Sequence, residues 1–113
     1  QLGLPSGKLE SVGGVHQRHF VQPGETAAQL AAAAGRKALE AAGLTLADID
    51  CLVATSATMD QGMPSNAALI HHELGLSKIP AFDINASCLG FLAALDSLSW
   101  MITAGAYKRV LLV

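Results

Sequence analysis

From Leu89 to Ile102 the chain carries Leu89, Phe91, Leu92, Leu95, Leu98, Trp100, Met101 and Ile102. At 3.6 residues per turn these side chains surround the whole circumference of a helix. A helix that is apolar on every side has to be buried on every side. Asp96, Ser97 and Ser99 interrupt the run, and it falls short of the ~20 apolar residues that a membrane-spanning helix needs. The cover must therefore be protein. A chain of 113 residues makes one small domain, and its one sheet can cover only one side of such a helix. The sequence thus demands a second layer, from further sequence or from another chain.

Composition points the same way. The chain is 51% hydrophobic and 14% charged, more apolar than a domain of this size needs. Net charge is −2 without any basic run, which argues against nucleic acid or an anionic membrane surface as partner. Cys51 and Cys88 lack CxxC spacing, so neither a disulfide framework nor a zinc knuckle is expected. No secretory leader pattern opens the sequence, and a reducing, cytoplasmic setting is the default. Gln1 at the start, and an apolar Arg109–Val113 run with no turn residue after it, suggest a fragment.

Residues 1–20 hold glycines at 3, 7, 13 and 14 and read as loop, with a short strand possible at the end. Pro23-Gly24-Glu25-Thr26 introduces a helix to about Ala42, with Gly43 as its stop. Leu30, Ala34, Ala38 and Ala41 are its expected apolar face. Ile49–Thr55 reads as a strand and Ser56–Gly62 as a loop. Pro64 suits the first position of a helix that continues to Gly75. Pro80–Ile84 is a second strand, Cys88–Gly105 the apolar helix, and Arg109–Val113 a third strand. Alternating helices and strands predict an α/β fold with a parallel sheet and right-handed crossovers. The strands are continuous apolar runs, as in sheets covered on both faces.

Cys88 follows the second strand through the small-residue turn Asn85-Ala86-Ser87 and falls where the apolar helix begins. A thiol attacks as its thiolate, and a helix N-terminus stabilises that anion through unpaired N–H groups and the macrodipole. The same N–H groups can stabilise an oxyanion. Free cysteine is also among the most buried residue types, so this context leaves two readings, nucleophile or structural residue. Cys51 opens an apolar strand and reads as core. His71 and His72 are neighbours on a helix, point about 100° apart and have no third ligand, so no metal site is expected.

The string Phe82-Asp83-Ile84-Asn85-Ala86-Ser87-Cys88-Leu89-Gly90-Phe91 closely resembles the nucleophile region of β-ketoacyl-acyl-carrier-protein synthase III, a thiolase-fold condensing enzyme. Three further segments fall in the same order. Gly14-Val15-His16-Gln17-Arg18-His19 is similar to the family's Gly-Ile-x-x-Arg segment. Glu25-Thr26-Ala27 is similar to the start of its first long helix, and Ala54–Thr58 with Met63-Pro64-Ser65 to its strand–loop–helix at the dimer interface. The resemblance spans about residues 12–113. It implies a thiolase-like α/β fold of two similar halves, of which residues 1–113 would be most of the first, as a single partial domain with the C-terminal half absent.

That resemblance implies roles. Cys88 would take an acyl group from a thioester, with its own N–H as one oxyanion donor. A carbanion from decarboxylated malonyl-acyl carrier protein would then attack, in a Claisen condensation of fatty acid or polyketide synthesis. A histidine and an asparagine from the second half would assist; none of His16, His19, His71 and His72 lies in a matching motif. Met63 stands where the family sends a side chain across a homodimer interface into the partner's acyl pocket. Thr55 would line the same pocket, and Leu89, in place of the usual small residue, would either narrow the channel or mark a specialised branch of the family. Lys8 and Val12 occupy the positions of a tryptophan and an arginine that hold coenzyme A, which favours a carrier-protein donor over acyl-CoA. No permanently bound cofactor or metal is implied; acyl carrier protein is the expected partner. Two alternatives remain on this fold: an acyltransferase that forms no carbon–carbon bond, and a non-catalytic partner subunit.

Overall fold

Three short parallel strands organise the computed structural model, which describes residue 3 and residues 5–113. β1 is Cys51–Ala54, β2 Ala81–Asp83 and β3 Val110–Leu112, in the order β2-β1-β3. Val53 of β1 lies opposite Phe82 on one side and Leu112 on the other. All four residues of β1 are buried, as its apolar run requires. Successive side chains alternate between faces, so Cys51 and Val53 point one way, Leu52 and Ala54 the other. The step from β1 to β2 and the step back past β1 to β3 run in opposite directions. Right-handed crossovers then put their helices on opposite faces.

The two cores follow that division. Helix α2 (Ala27–Ala41) and helix α3 (Asn66–Leu74) cover the Leu52 and Ala54 face, where Ala28, Ala32, Leu39, Ala67, Ile70, Leu74 and Leu111 are buried. Helix α4 (Gly90–Thr103) covers the other face, packing Ala94 and Leu98 with Cys51 and Val53, flanked by Phe82, Ile84, Met101, Val110 and Leu112. A six-residue helix, α1 (Lys8–Gly13), precedes them and buries none of its residues. Residues 1–20 were expected to be loop with a strand at the end. Instead this helix forms, and residues 15–22 run without strand structure.

Local chemistry sets the helix boundaries. At the start of α2, Thr26 Oγ1 accepts from the Gln29 N–H while Gln29 Oε1 accepts from the Thr26 N–H, a reciprocal cap. Its buried face is Ala28, Ala32, Gly35 and Leu39, not the expected Leu30, Ala34, Ala38 and Ala41, which are exposed. Close approach to the sheet explains the choice: a Cβ at Gly35 would lie 3.2 Å from Leu111 Cδ2. Pro64 stays outside α3, because Ser65 is the cap residue and accepts from the Ala68 N–H. α4 begins at Gly90 rather than Cys88, since Ser87–Leu89 form a tighter 3-10 turn. It buries Gly90, Ala94 and Leu98 and leaves Phe91, Leu92, Leu95, Trp100 and Ile102 exposed. No helix among the described residues is long and apolar enough to cross a membrane.

Candidate active site

Parallel α/β sheets place their sites beyond the carboxyl ends of the strands, and Cys88 lies at that edge. Past β1 and β2 the ladder continues for one more step: the Ile84 N–H donates to the Ala54 carbonyl at 2.9 Å, and the Thr55 N–H to the Val113 carbonyl at 2.8 Å. The Thr55 hydroxyl donates to the same carbonyl at 3.2 Å. Asn85 then starts the turn, its Oδ1 accepting from the Ser87 N–H at 2.9 Å. This is the Asx-type closure that makes asparagine a turn residue. The Ala86 carbonyl accepts from the Leu89 N–H at 3.0 Å, and the Ser87 carbonyl from the Gly90 N–H.

Ser87 sits at φ +50°, in the left-handed region that costs a non-glycine residue about 1–3 kcal/mol. That reversal separates the strand direction from the helix direction, and Cys88 occupies the next position with an exposed side chain. Gly90 seats the helix on the sheet edge. A Cβ there would lie 3.5 Å from both Thr55 Cβ and the Thr55 carbonyl, and 3.9 Å from the Ile84 carbonyl. The turn that bears the cysteine is thus anchored on both sides.

Of the residues singled out in the sequence, Cys88, Leu89 and Thr55 meet around this turn. Leu89 is 63% exposed beside the cysteine. Met63 lies on the loop between β1 and α3, 88% exposed, with its carbonyl accepting from Gln61 Nε2 at 2.9 Å. Lys8 and Val12 are exposed on α1. Near them, Leu9, Glu10, Val15, His16 and Arg18 line a concavity of about 930 Å³ that shares no residue with the Cys88 turn. His16 Nδ1 and Glu10 Oε1 are 2.6 Å apart there. Cys51 is fully buried; burial pushes its thiol above the ordinary range, partly offset by a hydrogen bond with Tyr107. Among the described residues no group of three His, Cys, Asp or Glu side chains could hold a metal ion.

Two carboxylates missed in the sequence reading brace the surroundings. Asp83 accepts from the Asn66 and Ala67 N–H groups at 3.0 and 2.7 Å, fixing the start of α3 to the end of β2. Asp60 accepts from the Ala27 and Ala28 N–H groups at 2.7 and 2.9 Å. Both bind helix N-termini, where anionic acceptors are favoured, but their partners are too distant in sequence for a local pattern to reveal them. Asn85 could have been found from its place two residues before Ser87.

Comparison with known proteins agrees with this geometry. Residues 82–113 match the family model of 3-oxoacyl-[acyl-carrier-protein] synthase III. The β-ketoacyl-[acyl-carrier-protein] synthase III of Roseobacter denitrificans is 41% identical over 100 residues, which are 88% of this chain and 31% of that protein. The solved 3-oxoacyl-[acyl-carrier-protein] synthase III of Aquifex aeolicus superposes with a TM-score of 0.81 at 33% identity, over 88% of this chain and 32% of that one. A Xanthomonas campestris OleA structure with bound lauric acid and lauroyl-CoA superposes with a TM-score of 0.77 at 31% identity, over 93% of this chain and 32% of that one. By fold, the chain belongs to the thiolase-like α/β class. Within that class its sequence is similar to that of β-ketoacyl-[acyl-carrier-protein] synthase III, and it spans about 31% of the length of the curated relative from Roseobacter.

Proposed function

We propose that the protein carrying this chain is a condensing acyltransferase of fatty acid or polyketide synthesis, with Cys88 as its nucleophile. The observation that carries the reading is the exposed thiol on a braced turn at the N-terminal end of α4, at the carboxyl edge of a parallel sheet. The Cys88 thiolate attacks the carbonyl carbon of an acyl thioester. A new carbon–sulfur bond forms, the oxyanion collapses, and the donor leaves as a thiolate that takes up a proton. Backbone N–H groups around the turn, that of Cys88 among them, are suited to stabilise the oxyanion.

Malonyl-acyl carrier protein then loses carbon dioxide. The electron pair of the broken bond attacks the acyl carbon, Cys88 departs as thiolate, and a β-ketoacyl product results. The histidine and asparagine of this second step lie outside the 113 residues. Acyl carrier protein is the partner, no cofactor is permanently bound, and the reading fits a cytoplasmic enzyme. A homodimer would bring Met63, on its exposed loop between β1 and α3, to the acyl pocket of the partner copy. Thr55 and Leu89 would line the approach to Cys88. Replacing Cys88 with Ala in the full-length protein is expected to remove β-ketoacyl product from an assay with acyl thioester and malonyl-acyl carrier protein. Undiminished product from that variant would overturn the assignment.

A further inference from the structure

Residues 57–64, between β1 and α3, are exposed throughout. Within this loop Ser56 Oγ bonds to Thr58, and Gln61 Nε2 to the Met63 carbonyl. Among the described residues, the side-chain hydrogen bonds that tie the loop to a distant part of the fold come from Asp60. Its two oxygens grip the Ala27 and Ala28 N–H groups, 33 and 32 residues away in sequence, at 2.7 and 2.9 Å. We infer that Asp60 is a positioning residue for acyl-chain selection: it latches the loop to the first turn of α2 and thereby sets where Met63 projects. This rests on the proposed role of Met63 in the acyl pocket.

The two partners of the latch depend on it unequally. α2 has its own cap in Thr26 and Gln29 and a buried face in the sheet core. The loop has no buried residue between 57 and 64. A charged acceptor with two backbone donors fixes orientation as well as position. Met63 follows three residues later, so a loosened latch displaces it. Displacements of about 1 Å at a distance from the chemistry can change rates by about 100-fold, and one methylene in a pocket changes selectivity by about 10–200-fold.

The test uses the full-length protein and a series of acyl thioesters of graded chain length, reading kcat/KM for wild type, Met63→Ala, Asp60→Asn, Asp60→Ala and the Asp60→Ala/Met63→Ala double variant. The expected result is a change of about 10-fold in the long-to-short ratio for Asp60→Ala. Asp60→Asn, which keeps one acceptor oxygen, should shift it less, and serves as the test if Asp60→Ala does not fold. Asp60→Ala should add nothing once Met63 is already Ala. If Met63→Ala shifts the ratio and neither Asp60 variant does, the latch is refuted while the pocket reading stands. If Met63→Ala leaves the ratio unchanged, both fall. A loss equal at every chain length, with a lowered Tm, would make Asp60 a helix cap alone and also refute the latch.

Discussion

Cys51 and Cys88 carry the same side chain in opposite surroundings. Cys51, the first residue of β1, is sealed against α4, and burial raises its thiol, with the Tyr107 hydrogen bond acting the other way. Cys88 stands exposed on its turn. Alkylation follows thiolate content and access, so iodoacetamide near neutral pH should modify Cys88 in the folded full-length protein and reach Cys51 only after unfolding. Peptide mass spectrometry decides; equal labelling, or labelling of Cys51 first, contradicts the assignment. The turn that bears Cys88 was readable because small residues between a strand and an apolar helix mark a tight turn. The left-handed Ser87 was not readable, since serine has no preference for that conformation; the Asn85 closure and the seating of Gly90 on Thr55 impose it.

The element boundaries show which signals travel. Thr26 and Gln29 form a cap within one turn, and the start of α2 matched its local chemistry. Its buried face did not, because an alanine-rich helix is apolar on several sides and hydropathy alone cannot orient it. Steric fit to Leu111 selected the stripe with Gly35. Pro64 fits the first position of a helix, but Ser65 and Asp83 together satisfy the first N–H groups of α3, which starts two residues later at Asn66. Asp50 performs a similar service for β3. It accepts from the Lys108 and Arg109 N–H groups at 2.8 and 3.0 Å. The Lys108 bond is the largest cause holding its carboxyl below the ordinary 3.8, against an opposing desolvation. A folded value below the unfolded one means that this stabilisation is present above about pH 3.8 and is lost as pH falls through the depressed value. Asp50→Asn should therefore lower Tm at neutral pH, with the gap to wild type closing on acidification. A gap that widens in acid contradicts this account of Asp50.

At the scale of the whole molecule, the apolar circumference of α4 was the most informative pattern, and its consequence is visible. One side rests on the sheet through Ala94 and Leu98, while Trp100, 69% exposed, and Phe91, Leu92 and Leu95 face outward. The strand order β2-β1-β3 was not readable, because alternating helices and strands do not fix on which side of β1 the third strand lands. Pairing of Leu52 with both Ala81 and Leu111 decides it. The sheet, the turn and α4 together present one thiol at the edge where acyl transfer would occur. The direct test is to incubate the full-length protein with an acyl thioester and no malonyl donor, quench, digest and weigh the peptides. The acyl mass is expected on the Cys88 peptide of the wild type and absent from Cys88→Ala. Acyl mass on Cys51, on any other residue, or on no peptide at all would contradict the assignment of Cys88 as nucleophile.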